Sequence, residues 1–516
     1  LVGPTGRHKY VVEDSIEGIF ETVKLAAKIH QSGGGTGFSF GRLRPRGSRV
    51  KSTGNVASGP ITFMQVFDAA TAAIKQGGVR RGANMGVLPI DHPDIQEFIH
   101  LKNDNKTLSN FNISVAVTDK FMQHLEHDTL FPLQWGGKTY GSVRPADLWD
   151  EITQSAWTSG DPGLLFIDQI NRSNTLAHLG AIEATNPCGE VPLLPYHTCN
   201  LGSIDVSKYL SDSGTFQWNE LERDVQFAVR FLDNVIDMNK YPDPRISMET
   251  RKARKIGLGI MGWADLLIKL RIPYGSGVAH TLAQGLMSAI SGGADEESHE
   301  LAVERGTYPG QLPGELPYRN ASRSVIAPTG TLSILANCSS GIEPLFGLTF
   351  VKNVMDTQVK HVSEAAKDLL EQEGLWSHEA EMDLLSGMPA HKIPGIPVEV
   401  AAILRTAHEI PVEEHVTTQA AFQSQVDDSI SKTINFPHSA TPADIASTYW
   451  RAYQLDCKGV TVYRDGCKEG GQVLDFKSNQ ALPPGVENSC PDCGGEMIHA
   501  EGCQECSTCG LSMCAA

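Results

Sequence analysis

The sequence lacks any apolar run close to the roughly 18 residues that a membrane-spanning helix needs. It also opens without the charged stretch and apolar segment of a secretory leader. Cysteine is absent before Cys188, and most cysteines lie between Cys490 and Cys514, a distribution unlike a disulfide framework. These absences predict a soluble, cytoplasmic protein that uses its thiols for metal or redox chemistry in a reducing compartment.

Length and composition predict a globular protein with a large core, because 41% of the 516 residues are hydrophobic and 20% are charged. The formal net charge of −17 argues against a nucleic-acid-binding surface, although a nucleotide needs only a local electropositive pocket. Residue 1 is leucine rather than methionine, which predicts a fragment or a processed product.

Hydrophobic periodicity predicts an α/β fold. Apolar residues recur with helical spacing over residues 225–236, and residues 63–74 form a second predicted helix that glycines end. Short β-rich runs at residues 163–167 and 459–463 alternate with such helices. This alternation is typical of α/β proteins.

The most informative segment is Asn186-Pro187-Cys188-Gly189-Glu190. Side chains at alternate positions of an extended segment point the same way, so the amide, the thiol and the carboxylate are expected to face one ligand. The carboxylate can remove a hydroxyl proton, the amide can hydrogen-bond a neighbouring hydroxyl, and the thiol can lose a hydrogen atom to become a thiyl radical. This set suits chemistry on a polyol, whereas an isolated motif of this kind usually holds a buried, hydrophobic cysteine.

Together with other segments, this one resembles the ribonucleotide reductase large-subunit family, and specifically its adenosylcobalamin-dependent class. The matching segments follow the family order over nearly the whole chain. They are GGGTGF at 33–38, GGVRRGANM at 77–85, NPCGE at 186–190, HTCNLG at 197–202, GLGIMG at 257–262, APTGT at 327–331, GIEP at 341–344 and GVTVYRDG at 459–466.

The resemblance implies a ten-stranded α/β barrel made of two five-stranded half-sheets, with the radical-bearing finger loop threaded through its middle. This catalytic barrel is expected over residues 1–474, with its N-terminal part missing. Residues 475–488 lose periodicity and collect Ser, Asn, Gln, Pro and Gly, which predicts a flexible linker. A small zinc-ribbon-like module, a zinc-binding and redox tail, is expected over residues 489–516.

The resemblance also implies residue roles for reducing ribonucleotides, preferably the diphosphates, to 2′-deoxyribonucleotides. Cys188 is implied to carry the thiyl radical that takes the 3′-hydrogen, with Glu190 as the base and Asn186 hydrogen-bonding the ribose hydroxyls. Cys199 is implied as one of two thiols that supply electrons. The family's partner cysteine lies upstream, where this sequence has none, so at most a single turnover is expected of this polypeptide.

Two further segments are implied to bind nucleotides. Glycine and hydroxyl residues precede the apolar stretch 332–336, as expected where N–H groups at a helix start hold phosphate. The segment 76–84 is glycine- and arginine-rich, and the family's corresponding loop links a deoxynucleotide effector at a dimer interface to the substrate base. The implied substrate-phosphate residues are Ala327, Pro328, Thr329, Gly330 and Thr331, and the implied effector residues are Asp14, Gln76, Arg80 and Arg81.

The segment 257–262 formally matches the dinucleotide fingerprint G-x-G-x-x-G. We reject that interpretation, because the preceding residues 251–255 are highly charged and no acid follows at the ribose-binding distance. The glycines are instead expected to allow close backbone packing before a helix over residues 263–270.

The tail contains two C-x2-C pairs, which predict a tetrahedral zinc site. Six thiols exceed the four that one zinc needs, so two remain for electron transfer. No lysine or arginine follows Lys477, which disfavours a nucleic-acid-binding ribbon. The favoured partition gives zinc Cys490, Cys493, Cys506 and Cys509 and leaves Cys503 and Cys514 as the redox pair. The other gives zinc Cys490, Cys493, Cys503 and Cys506 and leaves Cys509 and Cys514.

The radical source is predicted from missing motifs. The family's oxygen-dependent class uses adjacent tyrosines near the end of the barrel, where this chain has Val462-Tyr463, and no glycyl-radical motif is present. Adenosylcobalamin remains, without a D-x-H-x-x-G motif for histidine ligation of cobalt. The alternatives are an oxygen-dependent reductase with a separate radical-generating subunit, or a zinc-ribbon binding protein with a non-catalytic barrel. Expected partners are a ribonucleotide, a deoxynucleotide effector, a thioredoxin- or glutaredoxin-like reductant and a second copy of the chain.

Overall fold

The structure is a computed structural model that describes residues 7–50, 54–76, 80–211, 213–354 and 357–468, together with 497–500, 503–506 and 512–514. The chain divides into two compact units, Leu1–Gly471 and Gln472–Ala516. No helix within the described residues is both long enough and apolar enough to cross a bilayer.

The described residues form strands and helices in alternation. The strands are β1 Arg7–Val11, β2 Thr36–Ser39, β3 Lys75–Gln76, β4 Arg80–Arg81, β5 Asn84–Pro89, β6 Phe111–Val117, β7 Phe131–Trp135, β8 Lys138–Val143, β9 Gly163–Phe166, β10 Ala184–Thr185, β11 Pro192–Leu193, β12 Thr198–Asp205, β13 Ile256–Met261, β14 Thr349–Val354, β15 Thr357–Val362, β16 Thr433–Phe436, β17 Gly459–Arg464, β18 Met497–Ala500, β19 Cys503–Cys506 and β20 Ser512–Cys514. The α-helices are α1 Ile16–Gln31, α2 Pro60–Ala73, α3 Ile95–Ile99, α4 Asp119–Glu126, α5 Pro145–Ser159, α6 Ile167–Arg172, α7 Trp218–Met238, α8 Pro244–Ala253, α9 Trp263–Lys269, α10 Gly277–Arg305, α11 Gly330–Ala336, α12 Glu364–Gln372, α13 His378–Leu385, α14 Val398–Ile403, α15 Val412–Gln423 and α16 Pro442–Gln454.

The principal sheet of the first unit has nine strands in the order β13-β12-β1-β2-β5-β6-β9-β17-β16. Strands β1, β2, β5, β6 and β9 are mutually parallel. The pairs β12–β13 and β16–β17 are also parallel, but they join the first group through antiparallel contacts, β12 with β1 and β17 with β9. The sheet therefore consists of parallel groups that meet at two antiparallel seams.

The segment 324–326 connects the two outer strands of this sheet. Ser324 forms a parallel bridge with Leu258 of β13, and Ile326 forms one with Ile430, just before β16. The approach to β13 is close, because a Cβ on Gly259 would lie 2.1 Å from the Val325 carbonyl oxygen. Only glycine fits at that position, so the packing role expected for the GLGIMG glycines agrees with their placement in buried β13, directly before α9.

The mixed α/β organisation expected from periodicity is confirmed. The two predicted helices correspond to α7 and α2, and the two predicted strands correspond to β9 and β17. Helix α2 begins at Pro60, earlier than the apolar pattern indicates, because proline suits the first turn of a helix. The described sheet holds nine strands rather than the expected ten.

Two large hydrophobic clusters flank the sheet. One contains Phe38, Phe40 and Phe67, whose rings pack with centroid separations of 4.8–6.0 Å. The other packs α7 against β12 and β13, and α10 against α7. Each buried aromatic side chain of this kind stabilises the fold by about 1.5–3 kcal/mol. A smaller cluster contains Cys199 and borders the segment that carries Asn186, Cys188 and Glu190.

Candidate active site

Residues 186–191 form a turn between β10 and β11, which pair with each other. We call this turn, together with Thr185 at the end of β10, the radical loop, after the role that the resemblance implies. The Asn186 backbone N–H donates to the Val191 carbonyl at 3.2 Å, and the Val191 N–H donates to Asn186 Oδ1 at 2.8 Å. Gly189 has a φ of 84°, a conformation that glycine adopts without strain. The sequence thus dictates a tight turn with Cys188 next to its tip.

The radical loop lies directly against β2 and the glycine that precedes it. A Cβ on Gly37 would be 1.7 Å from the Thr185 carbonyl oxygen, and one on Gly35 would be 3.0 Å from Pro187 Cγ. On another side, the Asn112 amide of β6 donates to the Pro187 carbonyl at 2.7 Å. The parallel group β1, β2, β5, β6 and β9, which we call the first half of the sheet, therefore fixes the loop around Pro187.

Asn186 and Glu190 are brought together, as their spacing predicts. Asn186 Nδ2 donates to Glu190 Oε2 at 2.7 Å, and both residues have no exposed surface. Cys188, which lies between them in sequence, is half-buried. The arrangement holds a carboxylate and an amide in a dry environment beside a partly accessible thiol.

Cys199 is fully buried in β12 and packs in one cluster with Val191, Val325 and Ala327. The radical loop, the thiol predicted to supply electrons and the start of the predicted phosphate segment therefore share one core. Cys338 does not belong to this cluster. Burial and the nearby carboxylates of Asp205 and Asp265 raise the pKa of its thiol to about 12. Cys338 is thus protonated at neutral pH.

The predicted phosphate segment directly follows residues 324–326 and leads into α11. Thr329 has a φ of 55°, and its hydroxyl accepts from the Gly341 N–H at 2.8 Å. Gly330 and Thr331 are exposed. The first N–H groups of a helix have no partner within the helix, so they can donate to an oxyanion.

The GIEP segment is joined to β16 by a buried ion pair. Glu343 Oε2 lies 2.7 Å from Lys432 Nζ, and Glu343 Oε1 accepts from the Thr433 N–H at 2.6 Å. Burial lowers the pKa of Lys432, although Glu343 opposes that shift. The chain segment after α11 is thereby attached to β16. This strand belongs to the second half of the sheet, which contains the parallel pairs β12–β13 and β16–β17.

The predicted effector residues occupy two separate elements. Asp14 lies just before α1 and is half-buried, with Oδ2 2.7 Å from Arg44 Nε. Gln76, Arg80 and Arg81 lie in the β3–β4 ladder, where Gln76 is opposite Arg80. Their effector role stays a prediction.

Several buried residues that support Glu190 were missed by sequence reasoning. The Ser429 N–H donates to the Glu190 carbonyl at 2.9 Å. Lys255 Nζ lies 2.9 Å from Asp428 Oδ1 and donates to the Pro192 carbonyl at 3.2 Å. Lys458 Nζ donates to the carbonyl of Asp428 at 2.6 Å, and burial lowers the pKa of Lys458 to about 8. The sequence offered one signal for these residues, namely a lysine directly before each of two buried runs: Lys255 before 256–261 and Lys458 before 459–464.

The cysteine tail is described only in part. Cys490, Cys493 and Cys509 lie outside the described residues. Cys503 and Cys506 belong to β19, and Cys503 stands opposite Cys514 of β20 in an antiparallel pair. The part of the chain that the structure describes contains no group of three potential metal-ligating residues.

The family model described as "Ribonucleotide reductase, barrel domain" matches residues 9–311 and 314–463. The chain belongs to the ribonucleotide reductase family.

Two relatives within the family are vitamin B12-dependent ribonucleoside-diphosphate reductases. The vitamin B12-dependent ribonucleoside-diphosphate reductase of Thermoplasma acidophilum is 49% identical over 482 residues, covering 92% of this chain and 62% of that protein. The one from Mycobacterium tuberculosis H37Rv is 43% identical over 478 residues, covering 91% of this chain and 67% of that protein. The chain therefore spans about two thirds of the length of these two reductases.

Among solved structures, the Actinobacillus ureae class Id ribonucleotide reductase alpha subunit superposes with a TM-score of 0.75. It is 23% identical and covers 89% of this chain and 84% of that subunit. The expected large-subunit barrel fold is thereby confirmed.

Replacing Lys255 with methionine should destabilise this chain by about 3–5 kcal/mol, because Asp428 then keeps a buried charge without its lysine partner. Chemical denaturation measures the loss in free energy of unfolding. Lys24→Met is the matched control, since Lys24 pairs with Glu21 at the surface with 59% of its side chain exposed. Such surface pairs contribute about 0–1 kcal/mol. Equal stabilities of the two variants would contradict the role of the buried pair.

Proposed function

We propose that this chain reduces ribonucleotides, preferably diphosphates, to 2′-deoxyribonucleotides by thiyl-radical chemistry started by adenosylcobalamin. The observation that carries the proposal is the buried Asn186–Glu190 hydrogen bond at the radical loop, beside the half-buried Cys188 thiol. Burying a carboxylate costs free energy that hydrogen bonds only partly offset, so a buried Glu190 at this loop supports a functional role such as accepting a substrate proton.

The residues can divide the reaction as follows. The thiyl radical on Cys188 takes the 3′-hydrogen of the ribose, and the Glu190 carboxylate accepts the proton of the 3′-hydroxyl. The 2′-hydroxyl takes a proton from one of two thiols, Cys199 and a partner, and leaves as water. The two thiols supply two electrons and the hydrogen that ends at C2′, and they become a disulfide. Glu190 then returns its proton to the 3′-oxygen, and Cys188 returns its hydrogen atom to C3′. The net change is one ribonucleotide and two thiols to one deoxyribonucleotide, one water and one disulfide.

The loop tip is compatible with a large cofactor approaching Cys188. The thiol is partly accessible, and among the described residues no atom lies within 4 Å of the position that a Gly189 Cβ would occupy. Adenosylcobalamin, when bound, supplies the oxidising equivalent that converts the Cys188 thiol to a thiyl radical. Cys188 is the residue of this chain that must reach it. The B12 dependence in the names of the two relatives supports this assignment.

We infer that the remaining partners are those expected of such a reductase. Residues 327–331 hold the substrate diphosphate, which the exposed helix start at Gly330 supports. Asp14, Gln76, Arg80 and Arg81 bind a deoxynucleotide effector in a homodimer. A thioredoxin- or glutaredoxin-like protein supplies the electrons.

We further infer that the segment 324–326 serves as a tenth strand. Its bridges to β13 and to the residues before β16 are both parallel, which yields two half-sheets of five parallel strands. The barrel then extends over residues 1–474, the linker over 475–488 and the tail over 489–516.

The tail is proposed to bind zinc through Cys490, Cys493, Cys506 and Cys509 and to carry electrons through Cys503 and Cys514. The antiparallel pairing of Cys503 with Cys514 supports this partition. Opposite residues in such a ladder have Cα atoms about 4.5–5.5 Å apart, the separation that a disulfide spans.

The first prediction concerns the radical thiol. Prereduced protein should form one equivalent or less of deoxynucleotide, and only with adenosylcobalamin present. Cys188→Ala should form none and should lose thiol-dependent cleavage of the cofactor, because no other side chain occupies that place in the loop. Deoxynucleotide analysis and the cofactor's absorbance measure both effects. The control is Cys338→Ala, which should behave like the parent chain; undiminished product from Cys188→Ala contradicts the proposal.

The second prediction concerns the base. Glu190→Gln keeps the shape and the hydrogen bond to residue 186 but cannot accept a proton. The rate of the single turnover should fall by about two to four orders of magnitude. Substrate affinity, measured by equilibrium dialysis, should stay close to that of the parent. A near-normal rate would show that the carboxylate is only structural.

The third prediction separates the two tail partitions. Cys503→Ser with Cys514→Ser should retain one equivalent of zinc, whereas Cys509→Ser with Cys514→Ser should lose it, since four thiolates hold the metal. Metal analysis of the purified proteins measures zinc. Peptide mapping after mild oxidation should find a Cys503–Cys514 disulfide in the parent chain. Zinc lost from the first double variant and retained in the second favours the other partition.

A further inference from the structure

Four buried polar side chains form a continuous series of hydrogen bonds across α1, β2, β5 and α2. His30 Nε2 lies 2.9 Å from Thr36 Oγ1, which lies 2.6 Å from Asn84 Oδ1. Asn84 Nδ2 lies 2.9 Å from Thr71 Oγ1. These four residues are at most 4% exposed, and we call them the His30 chain.

The direction of each hydrogen bond in the His30 chain follows from the contacts of Thr71 at one end of it. Thr71 Oγ1 lies 2.8 Å from the Phe67 carbonyl, which can only accept, so the Thr71 hydroxyl donates there. It must then accept from the Asn84 amide, whose other N–H points to the Asn110 carbonyl at 3.3 Å. Asn84 Oδ1 therefore faces Thr36 and accepts its hydroxyl proton.

A hydroxyl has one proton, so Thr36 must accept from His30. The His30 ring therefore carries its proton on Nε2. Burial lowers the pKa of His30 to about 4, against an opposing backbone contact at Ala83, so the ring is neutral at neutral pH. Only one pattern of protons satisfies these hydrogen bonds, which makes the chain directional; among the described residues, His30 Nδ1 has no hydrogen-bond partner.

The His30 chain lies behind the strand that supports the radical loop. Thr36 stands in β2 between Gly35 and Gly37, the two glycines against which Pro187 and Thr185 lie. Neighbouring side chains of a strand point to opposite faces, so Thr36 faces away from the loop that its neighbours contact.

The same residues hold the end of the segment that leads into β5. A Cβ on Gly82 would lie 2.9 Å from His30 Nδ1 and 2.9 Å from Thr71 Cγ2. The Ala83 carbonyl accepts from the Thr36 N–H at 3.2 Å, and Asn84 is the first residue of β5. The His30 chain thus connects residues 82–84 with the floor of the radical loop.

We propose that His30 and Thr36 are positioning residues that set the radical loop, and with it Cys188, relative to residues 82–84. The role of Cys188 rests on the proposed function; the positioning itself does not. Loss of one member leaves buried donors or acceptors of the others unpaired. Strand β2 can then move relative to β5, and the loop, which touches β2 without intervening side chains, moves with it.

Thr36→Val tests the proposal, because valine keeps the shape and removes the hydroxyl. Thr153→Val is the matched control: Thr153 is also buried, and its hydroxyl bonds only to the Asp150 carbonyl of its own helix. The first readout is the rate at which iodoacetamide alkylates Cys188, followed by peptide mass spectrometry and compared with the rate in the parent chain. The second is the single-turnover rate with adenosylcobalamin.

Thr36→Val should change the rate of Cys188 alkylation relative to the parent chain and lower the turnover rate about tenfold or more, because a misplacement of about 1 Å can cost 10²-fold. Substrate affinity should be unchanged. Thr153→Val should match the parent in all three measurements. Values for Thr36→Val equal to those of Thr153→Val overturn the proposal, whereas an active Cys188→Ala overturns the proposed function and leaves the alkylation result interpretable.

A second pair of variants keeps the test decisive if Thr36→Val does not fold. Glutamine at residue 30 can place an N–H where His30 Nε2 lies, so His30→Gln should retain most of the parent's values. His30→Leu cannot, and should behave as expected for Thr36→Val. Nitrogen-15 spectra of labelled histidine, assigned by loss of one signal in His30→Gln, should show the proton on Nε2. A proton on Nδ1, or equal behaviour of the two His30 variants, contradicts the directional chain.

Discussion

The active-site geometry depends on one close backbone crossing, that of the radical loop over β2. The Thr185 carbonyl occupies the space that a side chain on Gly37 would need, with a hypothetical Cβ only 1.7 Å away. Because backbone meets backbone, the loop has no flexible side chain beneath it. The hydrogen bonds of Asn186 and the tight turn at Gly189 then determine where Cys188 and Glu190 lie.

Buried charges support the other side of the same loop. Lys255 pairs with Asp428, and Lys432 pairs with Glu343, with every lysine side chain at most 4% exposed. A buried pair contributes little net stability, but a half-broken one is costly. Such pairs therefore specify a single arrangement of residues 428–433 more than they stabilise the fold. That stretch carries Ser429, which holds the Glu190 backbone.

Sequence reasoning worked where the physical signal is local or periodic. Helix α7 has one continuous apolar stripe, and the motif around Cys188 is confined to five residues, so both could be predicted. The segment 324–326 could not, because isolated bridges leave no periodic pattern. Lys255 lies in the highly charged run 251–255, which argued against a dinucleotide-binding strand. Its charge is nevertheless buried beside Asp428, a partner 173 residues away. Long-range pairing of this kind cannot be inferred from one sequence.

The two antiparallel seams of the sheet, β1 with β12 and β9 with β17, allow its two halves to move relative to each other. Each seam contains only two paired positions, and Cys199 occupies one of them, opposite Arg7. Pro187, before the radical thiol, is held by Asn112 and Gly35 of the first half, whereas Glu190 is held through Ser429, which belongs to the second. On the proposed roles, the thiol that abstracts the hydrogen atom and the carboxylate that accepts the proton are therefore anchored to different halves of the sheet. A small sliding of one half along the other would change the separation of the two reacting groups without breaking either half.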